Sequence, residues 1–512
     1  MVKPKDPSEN PTTTTNNNKM FIGIVWNCVP ELKLLLSALL FFCSLITLFQ
    51  FFPSHLSFSI QDLRQCSPFP PPSSPPPLQI QHPQLQTDNN NNNNIIQQNG
   101  VIKRNFNTYG SAAYNFILMS AYRGGLNTFA VIGLSSKPLH VFGKPTYLCE
   151  WVPDSTGNGS GSVTVSGTKI LPDWGYGRVY TVVVINCTFP SPVGIDGSHG
   201  GRLVLHASTS GGGDANFNLT DTIDVLEEKN GLLNSASNEL AEFNKPPKYD
   251  YLYCGSPLYG NLSPQRVREW IAYHVKMFGE RSHFVIYDAG GVHSEVMEVL
   301  RPWVERGYVT VQDIREQERF DGYYHNQFLV VNDCLHRYRF MTKWMFFFDV
   351  DEFIFVPKKS TIKSVMDSLE EFTQFTIEQR TISNKLCYLD DHPGKIYRKW
   401  GIEKLVYRDM MKGIRRDRKY AIQPRNVFAT GVHMSENTIG KTTHKTEGKI
   451  MYYHYHGTIS ERREPCRQFV NTTEMKVGGK PYVVDTTMRE AAGAVKRFEL
   501  RMIGSALLKT RQ

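Results

Sequence analysis

Two acidic side chains stand two residues apart at the end of an apolar run, in the segment WMFFFDVDEF. The carboxylates of Asp349 and Asp351 can both reach one divalent cation, and magnesium and manganese accept carboxylate oxygens as ligands. Such a cation neutralises a diphosphate and so stabilises it as a leaving group. Because an Asp-x-Asp pair is short enough to arise by chance, the elements around it must decide its meaning.

A second set of potential ligands lies far downstream, in the segment KIMYYHYHGT. Side chains alternate between the two faces of a strand, so a strand here places His454 and His456 on one face. Both imidazoles can then approach one metal ion. A surface strand with two solvated histidines is the alternative, and the Asp-x-Asp pair elsewhere in the chain favours the metal site.

Strand and helix patterns alternate from about residue 246 onward. The runs YDYLYC, HFVIYD, YVTVQDI and KWMFFF read as strands, and amphipathic helical patterns separate them. This alternation predicts a parallel sheet covered by helices, with MFFF in its fourth strand. Open α/β sheets bind ligands at the carboxyl ends of their strands, which is where Asp349 and Asp351 stand. A carboxylate cluster that caps the next helix is the alternative.

Residues 105–245 contain short β-rich runs such as SVTVSGTKI and RVYTVVVINCTF, separated by clusters of Gly, Ser, Pro and Asn. Evenly spaced short strands of this kind predict an all-β sandwich. Cys149 and Cys187 flank adjacent strands and could form a disulfide that cross-links the sandwich. Trp151, Trp174 and Tyr176 are either a platform for stacking on sugar rings or ordinary core residues.

Residues 34–52 are uncharged and long enough to cross a bilayer at about 20 residues per span. We interpret them as a transmembrane anchor, with a cleaved signal peptide as the alternative. Lysines precede this stretch and none follows closely, which predicts a cytoplasmic tail at residues 1–33 and a lumenal catalytic part, as in a single-pass type II protein. Residues 53–104, rich in Pro and then in Asn, are predicted to be a disordered stem.

Composition limits the classes of partner. The net charge is +9 over 512 residues, with no long basic block and no zinc-finger spacing, so the sequence does not favour nucleic-acid binding. Seven of the nine cysteines follow the anchor, where the compartment permits disulfides. That number is odd, and Cys66 in the stem is therefore a candidate for a bridge between the two chains of a homodimer.

The motifs VNDCLHRY, WMFFFDVDEFI and YHYHG resemble glycosyltransferase family 92. The resemblance implies a GT-A (Rossmann-like) α/β domain over residues 246–512, preceded by a carbohydrate-binding module. It implies an inverting, metal-dependent β-1,4-galactosyltransferase of the Golgi membrane that moves galactose from UDP-galactose onto galactan side chains of pectin, with Mn²⁺ (or Mg²⁺) as cofactor. The same fold acting on another glycan acceptor, and a catalytically inactive glycan-binding scaffold, are the alternatives.

The same resemblance assigns roles to residues. Asp349 and Asp351 hold the metal and the diphosphate, and His454 or His456 completes the metal shell. Contacts to the donor nucleotide are expected at the ends of the first two strands, from Tyr253, Gly255, Ser256 and Asp288.

Inversion also requires a carboxylate that deprotonates the acceptor hydroxyl. The sequence offers three candidates for this base and does not separate them: Asp390, Asp391 and Glu436.

Overall fold

The structure, a computed structural model, describes residues 95–96, 102–103, 115–136, 145–154, 161–171, 180–194, 200–210, 218–228, 243–316, 325–391, 394, 398–411, 418–471, 473 and 476–507. The predicted anchor at residues 34–52 and Cys66 lie outside these residues. Within the described part, no helix combines the length and the apolar character needed to cross a bilayer. The first strands, within the predicted stem, are β1 (Ile95–Ile96) and β2 (Ile102–Lys103).

An all-β part follows. Its strands are β3 (Phe116–Arg123), β4 (Thr128–Ser136), β5 (Thr146–Pro153), β6 (Val163–Ile170), β7 (Tyr180–Thr188), β8 (Gly201–Ser210) and β9 (Asn218–Glu228). They form one antiparallel sheet in the order β3-β4-β7-β6-β5-β8-β9. The first half of β6 pairs with β5 and the second half with β7, so the sheet folds over at this strand. A Cβ atom at Gly167 would lie 2.8 Å from Ile185 Cγ2, and glycine therefore permits the close approach of the two layers.

The outer strands of this sheet also approach one another, because the backbone N–H of Asn115 donates to Asp221 Oδ2 over 2.7 Å. The result is a near-barrel, and the predicted all-β character is confirmed. The two layers share β6, however, and are not the separate sheets of the predicted sandwich. The disulfide Cys149–Cys187 crosses the interior between β5 and β7.

The aromatic platform predicted for this part does not include Trp151. That side chain is 3% exposed and stacks on Phe129, with ring centroids 5.5 Å apart, so it is a core residue. Trp174 and Tyr176 lie outside the described residues.

A mixed α/β part begins at β10. Its parallel strands are β10 (Tyr249–Cys254), β11 (Ser282–Asp288), β12 (Val309–Asp313) and β13 (Thr342–Phe347). The helices between them are α1 (Pro264–Phe278), α2 (Ser294–Glu305) and α3 (Gln327–Tyr338). The order in the sheet is β12-β11-β10-β13, and β2 pairs with the other side of β12. The predicted alternation and the position of MFFF in the fourth strand are confirmed.

The continuous apolar strands are explained by cover on both faces. Tyr251 and Tyr253 point toward a core shared with α1 and α2. Leu252 and Cys254, on the opposite face, contribute to a second core that contains α3 and also Ile117 and its neighbours in the all-β part. The all-β part is thus packed on the α/β part through a common hydrophobic core.

The rest of the chain completes the sheet and its surroundings. The strands are β14 (Glu352–Phe355), β15 (Gln374–Thr381), β16 (Leu386–Tyr388), β17 (Tyr407–Asp409), β18 (Lys419–Ile422), β19 (Val427–Ala429), β20 (Asn437–Thr438), β21 (Thr442–Thr443), β22 (Met451–His454), β23 (Gln468–Val470), β24 (Lys476–Val477) and β25 (Lys480–Val484). The helices are α4 (Ile362–Asp367), α5 (Gly401–Lys404) and α6 (Thr487–Leu507). The sheet continues from β13 through β18, β15 and β22 to β14.

Candidate functional site

A cleft of about 340 Å³ opens where β10 and β13 end. The loop of residues 256–262, which follows β10, forms one wall, and the Asp-x-Asp segment after β13 lies beside it. Side chains from β15, β18 and β22 also line it: Gln379, Lys419, Tyr452 and His454. Further lining residues are His433, His456, Gly457, Ile459 and Ser460. The position at the carboxyl ends of parallel strands is the one where α/β sheets bind their ligands.

Asp351 and the two predicted histidines come together in this cleft. Antiparallel pairing of β14 with β22 sets Glu352 opposite His454, which brings distant segments of sequence side by side. Potential ligand atoms of Asp351, His454 and His456 all lie within 4.8 Å of one another. One carboxylate and two imidazoles so arranged suit a divalent metal.

Neighbouring groups fix the orientation of these side chains. The backbone N–H of Gly457 donates to Asp351 Oδ2 over 3.0 Å. The side-chain amide of Gln379 lies 2.5 Å from Nδ1 of His454, so that Nε2 of this ring faces Asp351 at 3.5 Å. Burial opposes charge on His454, but the hydrogen bond with Asp351 and the nearby Glu352 raise its pKa above the ordinary value. Outer groups of this kind typically orient metal ligands.

Asp349 has different partners. Nζ of Lys419 lies 2.7 Å from Asp349 Oδ2 and 3.6 Å from Glu352 Oε2, and the lysine side chain is only 5% exposed. Burial tends to raise the pKa of Asp349, but Lys419 and a hydrogen bond from Ser256 hold it below the ordinary value. Burial raises the pKa of Glu352 to about 7, against the opposing effect of Lys419. The two aspartates of the motif therefore occupy distinct surroundings.

The residues predicted to contact the donor nucleotide are only partly in the cleft. Ser256 lines it. Tyr253 is 2% exposed and belongs to the core, and a Cβ atom at Gly255 would clash with the Tyr253 hydroxyl and with Phe348 O, so neither faces the cleft. Asp288 accepts backbone hydrogen bonds from residues 290 and 292 and so shapes the loop after β11, outside the lining.

None of the three candidate bases lines the cleft. Asp391 is 5% exposed and forms ion pairs with Lys399 and with Arg489. Asp390 is exposed in the adjoining turn, and Glu436 is exposed in the segment after β19. The structure thus places the potential metal ligands Asp351, His454 and His456 close together, but none of the three carboxylates lies in their cleft.

Two ionisable residues of the cleft, Lys419 and His433, are not among the site residues expected from the sequence. Lys419 is the last residue of the basic run KGIRRDRK and the first residue of β18. The apolar residues that directly follow it were the available signal, since they mark the start of a buried strand. His433 lines the cleft from the segment after β19, and its flanking sequence contains no such signal.

The fold and the cleft are those of an α/β protein whose potential metal ligands lie at the carboxyl ends of parallel strands. Residues 249–486 match glycosyltransferase family 92. The chain is 58% identical over 522 residues to galactan β-1,4-galactosyltransferase GALS3 of Arabidopsis thaliana, with 100% of each chain covered. It is 59% identical over 517 residues to galactan β-1,4-galactosyltransferase GALS2 of the same plant, covering 97% of this chain and 98% of the relative. The chain belongs to glycosyltransferase family 92, and the predicted membership is confirmed.

Proposed function

We propose that this chain is an inverting β-1,4-galactosyltransferase that moves galactose from UDP-galactose onto β-1,4-galactan. The observation that carries the proposal is the 58% identity, over the whole of both chains, to a relative named as a galactan β-1,4-galactosyltransferase. A cleft with a metal-ligand cluster and a buried lysine supports it, because a nucleotide diphosphate requires positive charge at the leaving group.

The α/β part is proposed to be a GT-A domain, with the metal at Asp351, His454 and His456. The donor set fits Mn²⁺ (or Mg²⁺), since it offers a carboxylate and neutral nitrogens within reach of one ion. When bound, this ion supplies charge that stabilises the departing diphosphate. The chain's own contribution is to hold these ligands in place through Gln379 and the backbone of Gly457.

Lys419 and Asp349 are proposed to serve the donor side of the cleft. A buried ammonium beside two carboxylates is held in its charged form, and its pKa is raised by Asp349 and Glu352 despite burial. It can therefore attract a phosphate oxygen without the cost of ordering a mobile surface side chain. Asp349 and Ser256, at the ends of β13 and β10, are available to the sugar hydroxyls of the nucleotide.

The all-β part is proposed to bind the galactan polymer and to keep it near the cleft, which favours repeated addition. Removing this part would not test the idea, because it shares a hydrophobic core with the α/β part. A full-length His454→Ala variant, disabled in the cleft, should still be retarded by galactan in affinity electrophoresis. Loss of retardation together with activity would overturn a separate polymer site.

The chain is further proposed to be a single-pass type II protein of the Golgi membrane, anchored by residues 34–52 and spaced from the bilayer by a stem. The uncharged stretch and the preceding lysines support this. Replacing residues 1–52 with a cleavable signal peptide should release the active chain into the medium. Retention in the membrane fraction would contradict the assignment. A homodimer bridged by Cys66 remains part of the proposal and is tested by non-reducing electrophoresis of a Cys66→Ser variant.

A donor and acceptor screen tests the proposed reaction against its alternatives. The purified chain is given UDP-galactose, UDP-glucose or UDP-N-acetylglucosamine with galactan oligosaccharides or N-glycans as acceptors. Transfer should require UDP-galactose and a galactan acceptor. Transfer to N-glycans alone would favour the same fold with another acceptor, and binding without transfer would favour an inactive scaffold.

A further inference from the structure

None of the three carboxylates predicted to deprotonate the acceptor lines the cleft. We propose that His433 is this catalytic base, with Nε2 as the atom that accepts the proton. The inference rests on the galactosyl transfer proposed above. It assigns a residue to the deprotonation of the acceptor hydroxyl, which no residue of the donor site performs.

The other ionisable groups of the cleft are engaged on the donor side. Asp351, His454 and His456 form the metal-ligand cluster. Asp349 is paired with Lys419, and Glu352 lies beneath them at 1% exposure, with Oε2 accepting the backbone N–H of Asp349 over 2.7 Å. Tyrosine hydroxyls generally keep their proton at neutral pH and are poor bases. In an inverting reaction the acceptor hydroxyl attacks C1 from the side opposite the leaving group. The base that removes its proton must lie on that side, away from the groups clustered around the diphosphate.

His433 meets the requirement for exposure and for a lone pair. It lines the cleft yet is exposed to solvent, so an incoming sugar hydroxyl can reach it. Its Nδ1 lies 3.2 Å from the backbone carbonyl of Arg418, which can only accept a hydrogen bond. Nδ1 therefore carries the proton in the neutral ring, and Nε2 is left as the basic nitrogen.

The segment that carries His433 is anchored on both sides. Val432 is buried at 7% exposure, and the N–H of Gly431 donates to Met434 O over 3.1 Å, closing a turn around the histidine. Ser435 N donates to Gln374 Oε1 over 2.7 Å, and Gln374 Nε2 donates back to Ser435 O over 3.1 Å. A base held by such a turn keeps its position between cycles, as efficient proton transfer requires.

The proposed step balances. The acceptor hydroxyl oxygen forms a bond to C1 of galactose as the bond from C1 to the diphosphate oxygen breaks, and the electron pair of that bond leaves with UDP. The hydroxyl proton passes to Nε2 of His433, and the imidazolium then returns it to water. No oxidant or reductant is involved.

A His433→Asn variant of the full chain tests the assignment. The asparagine amide can keep the hydrogen bond to Arg418 O but offers nothing at the position of Nε2. We expect kcat for transfer to galactan to fall by at least about 100-fold, as for loss of a general base. The acceptor KM and the affinity for UDP, measured by calorimetry, should stay close to those of the unchanged chain. Added imidazole should restore part of the activity of a His433→Ala variant.

His444→Asn is the matched control, because His444 is also exposed and is held through Nδ1, by Thr376 Oγ1 at 3.0 Å, outside the cleft. Its kcat should be unchanged. If the unchanged chain transfers galactose and His433→Asn does so with the same kcat, the assignment of the base is overturned while the proposed function stands. A fall in kcat with lost UDP affinity and without imidazole rescue would also overturn it. If the unchanged chain itself transfers no galactose, the proposed function fails instead.

Discussion

Nζ of Lys419 lies 2.7 Å from Oδ2 of Asp349, a residue 70 positions earlier in the chain. Antiparallel pairing of β13 with β18, which sets Phe347 opposite Tyr420, brings them together. The two carboxylates of the Asp-x-Asp pair therefore have different neighbours, because Asp349 lies beside the Lys419 ammonium and Asp351 lies beside two histidines. We infer that the two carboxylates perform different tasks, and each task can be tested separately.

Replacing Lys419 by Met should weaken binding of UDP-galactose by at least tenfold, about 1.4 kcal/mol, since the ammonium proposed to attract the diphosphate is lost. The variant should also be less stable by about 3 kcal/mol, because the buried Glu352 and the partly buried Asp349 are left without a cation. Calorimetry with UDP and urea unfolding measure the two effects. Lys419→Arg, which keeps the charge, should recover most of the stability. Equal UDP affinity in the wild-type protein and in the Lys419→Met variant would contradict the proposed role of Lys419 in binding the donor.

Metal affinity should depend on Asp351 and not on Asp349. Asp351→Asn is expected to weaken Mn²⁺ binding by more than about 100-fold, because loss of groups that merely orient a ligand already costs 10–100-fold. Asp349→Asn should bind Mn²⁺ nearly as well as the unchanged chain and yet lose transfer activity. Titration of free Mn²⁺ by electron paramagnetic resonance checks both variants. A larger loss for Asp349→Asn would show that the division of tasks is wrong.

The all-β part should be held on the α/β part by Asp333 of α3. This carboxylate accepts hydrogen bonds from Ser120 and Tyr122 of β3, each over 2.6 Å, and from Tyr287 of β11 over 2.5 Å. Asp333→Ala should lower the free energy of unfolding by about 3 kcal/mol or more, because hydrogen bonds to a carboxylate contribute about 1.5–3 kcal/mol each. Tyr122→Phe, which deletes one bond, should cost about half as much or less. Additive effects in the double variant would show that the two residues are not coupled.

Stability should fall on acidification because of buried histidines. Burial lowers the pKa of His274 and of His336 to about 3, and that of His283 to about 4. The hydrogen bonds of His274 also favour the neutral ring, since Nδ1 lies 2.9 Å from Trp270 O and Nε2 already accepts the N–H of Ile354 over 3.2 Å.

In the unfolded chain the pKa of a histidine is about 6.5. Below that pH the unfolded state therefore binds protons that the folded state does not bind. Each of the three residues should then cost up to about 1.4 kcal/mol per pH unit. The urea midpoint should be clearly lower at pH 5.5 than at pH 7.5, and a His336→Gln variant should show a smaller difference between these two pH values. A midpoint that rises on acidification would contradict the account.

The α/β fold and one half of the site could be predicted from sequence because their signals are local. Apolar runs and helical periodicity marked β10 to β13, and the Asp-x-Asp pair stood at the end of one such run. The histidine pair was recognisable from its spacing. The fold-over of the sheet at β6 could not be predicted, because a change of pairing partner within one strand does not alter the hydrophobic pattern. Gly167 was the only local sign of it.

The positions of Lys419 and His433 in the cleft could not be predicted, because each depends on contacts between segments distant in sequence. Lys419 reaches the cleft only through the pairing of β18 with β13, and His433 only through the turn anchored on Gln374. The sequence around Asp391 predicts an exposed turn, which suits a base, but in the structure its charge is balanced by ion pairs with Lys399 and Arg489. A short motif does not contain such partners.

Product analysis tests the central claim most directly. The purified full-length chain is incubated with UDP-galactose, Mn²⁺ and a fluorescently labelled galactan oligosaccharide, and the products are separated by length and digested with an endo-β-1,4-galactanase. The account predicts a ladder that grows by single hexoses and is converted back to short products by the enzyme. A ladder that resists this digestion, or no extension while UDP-galactose is bound, would contradict it.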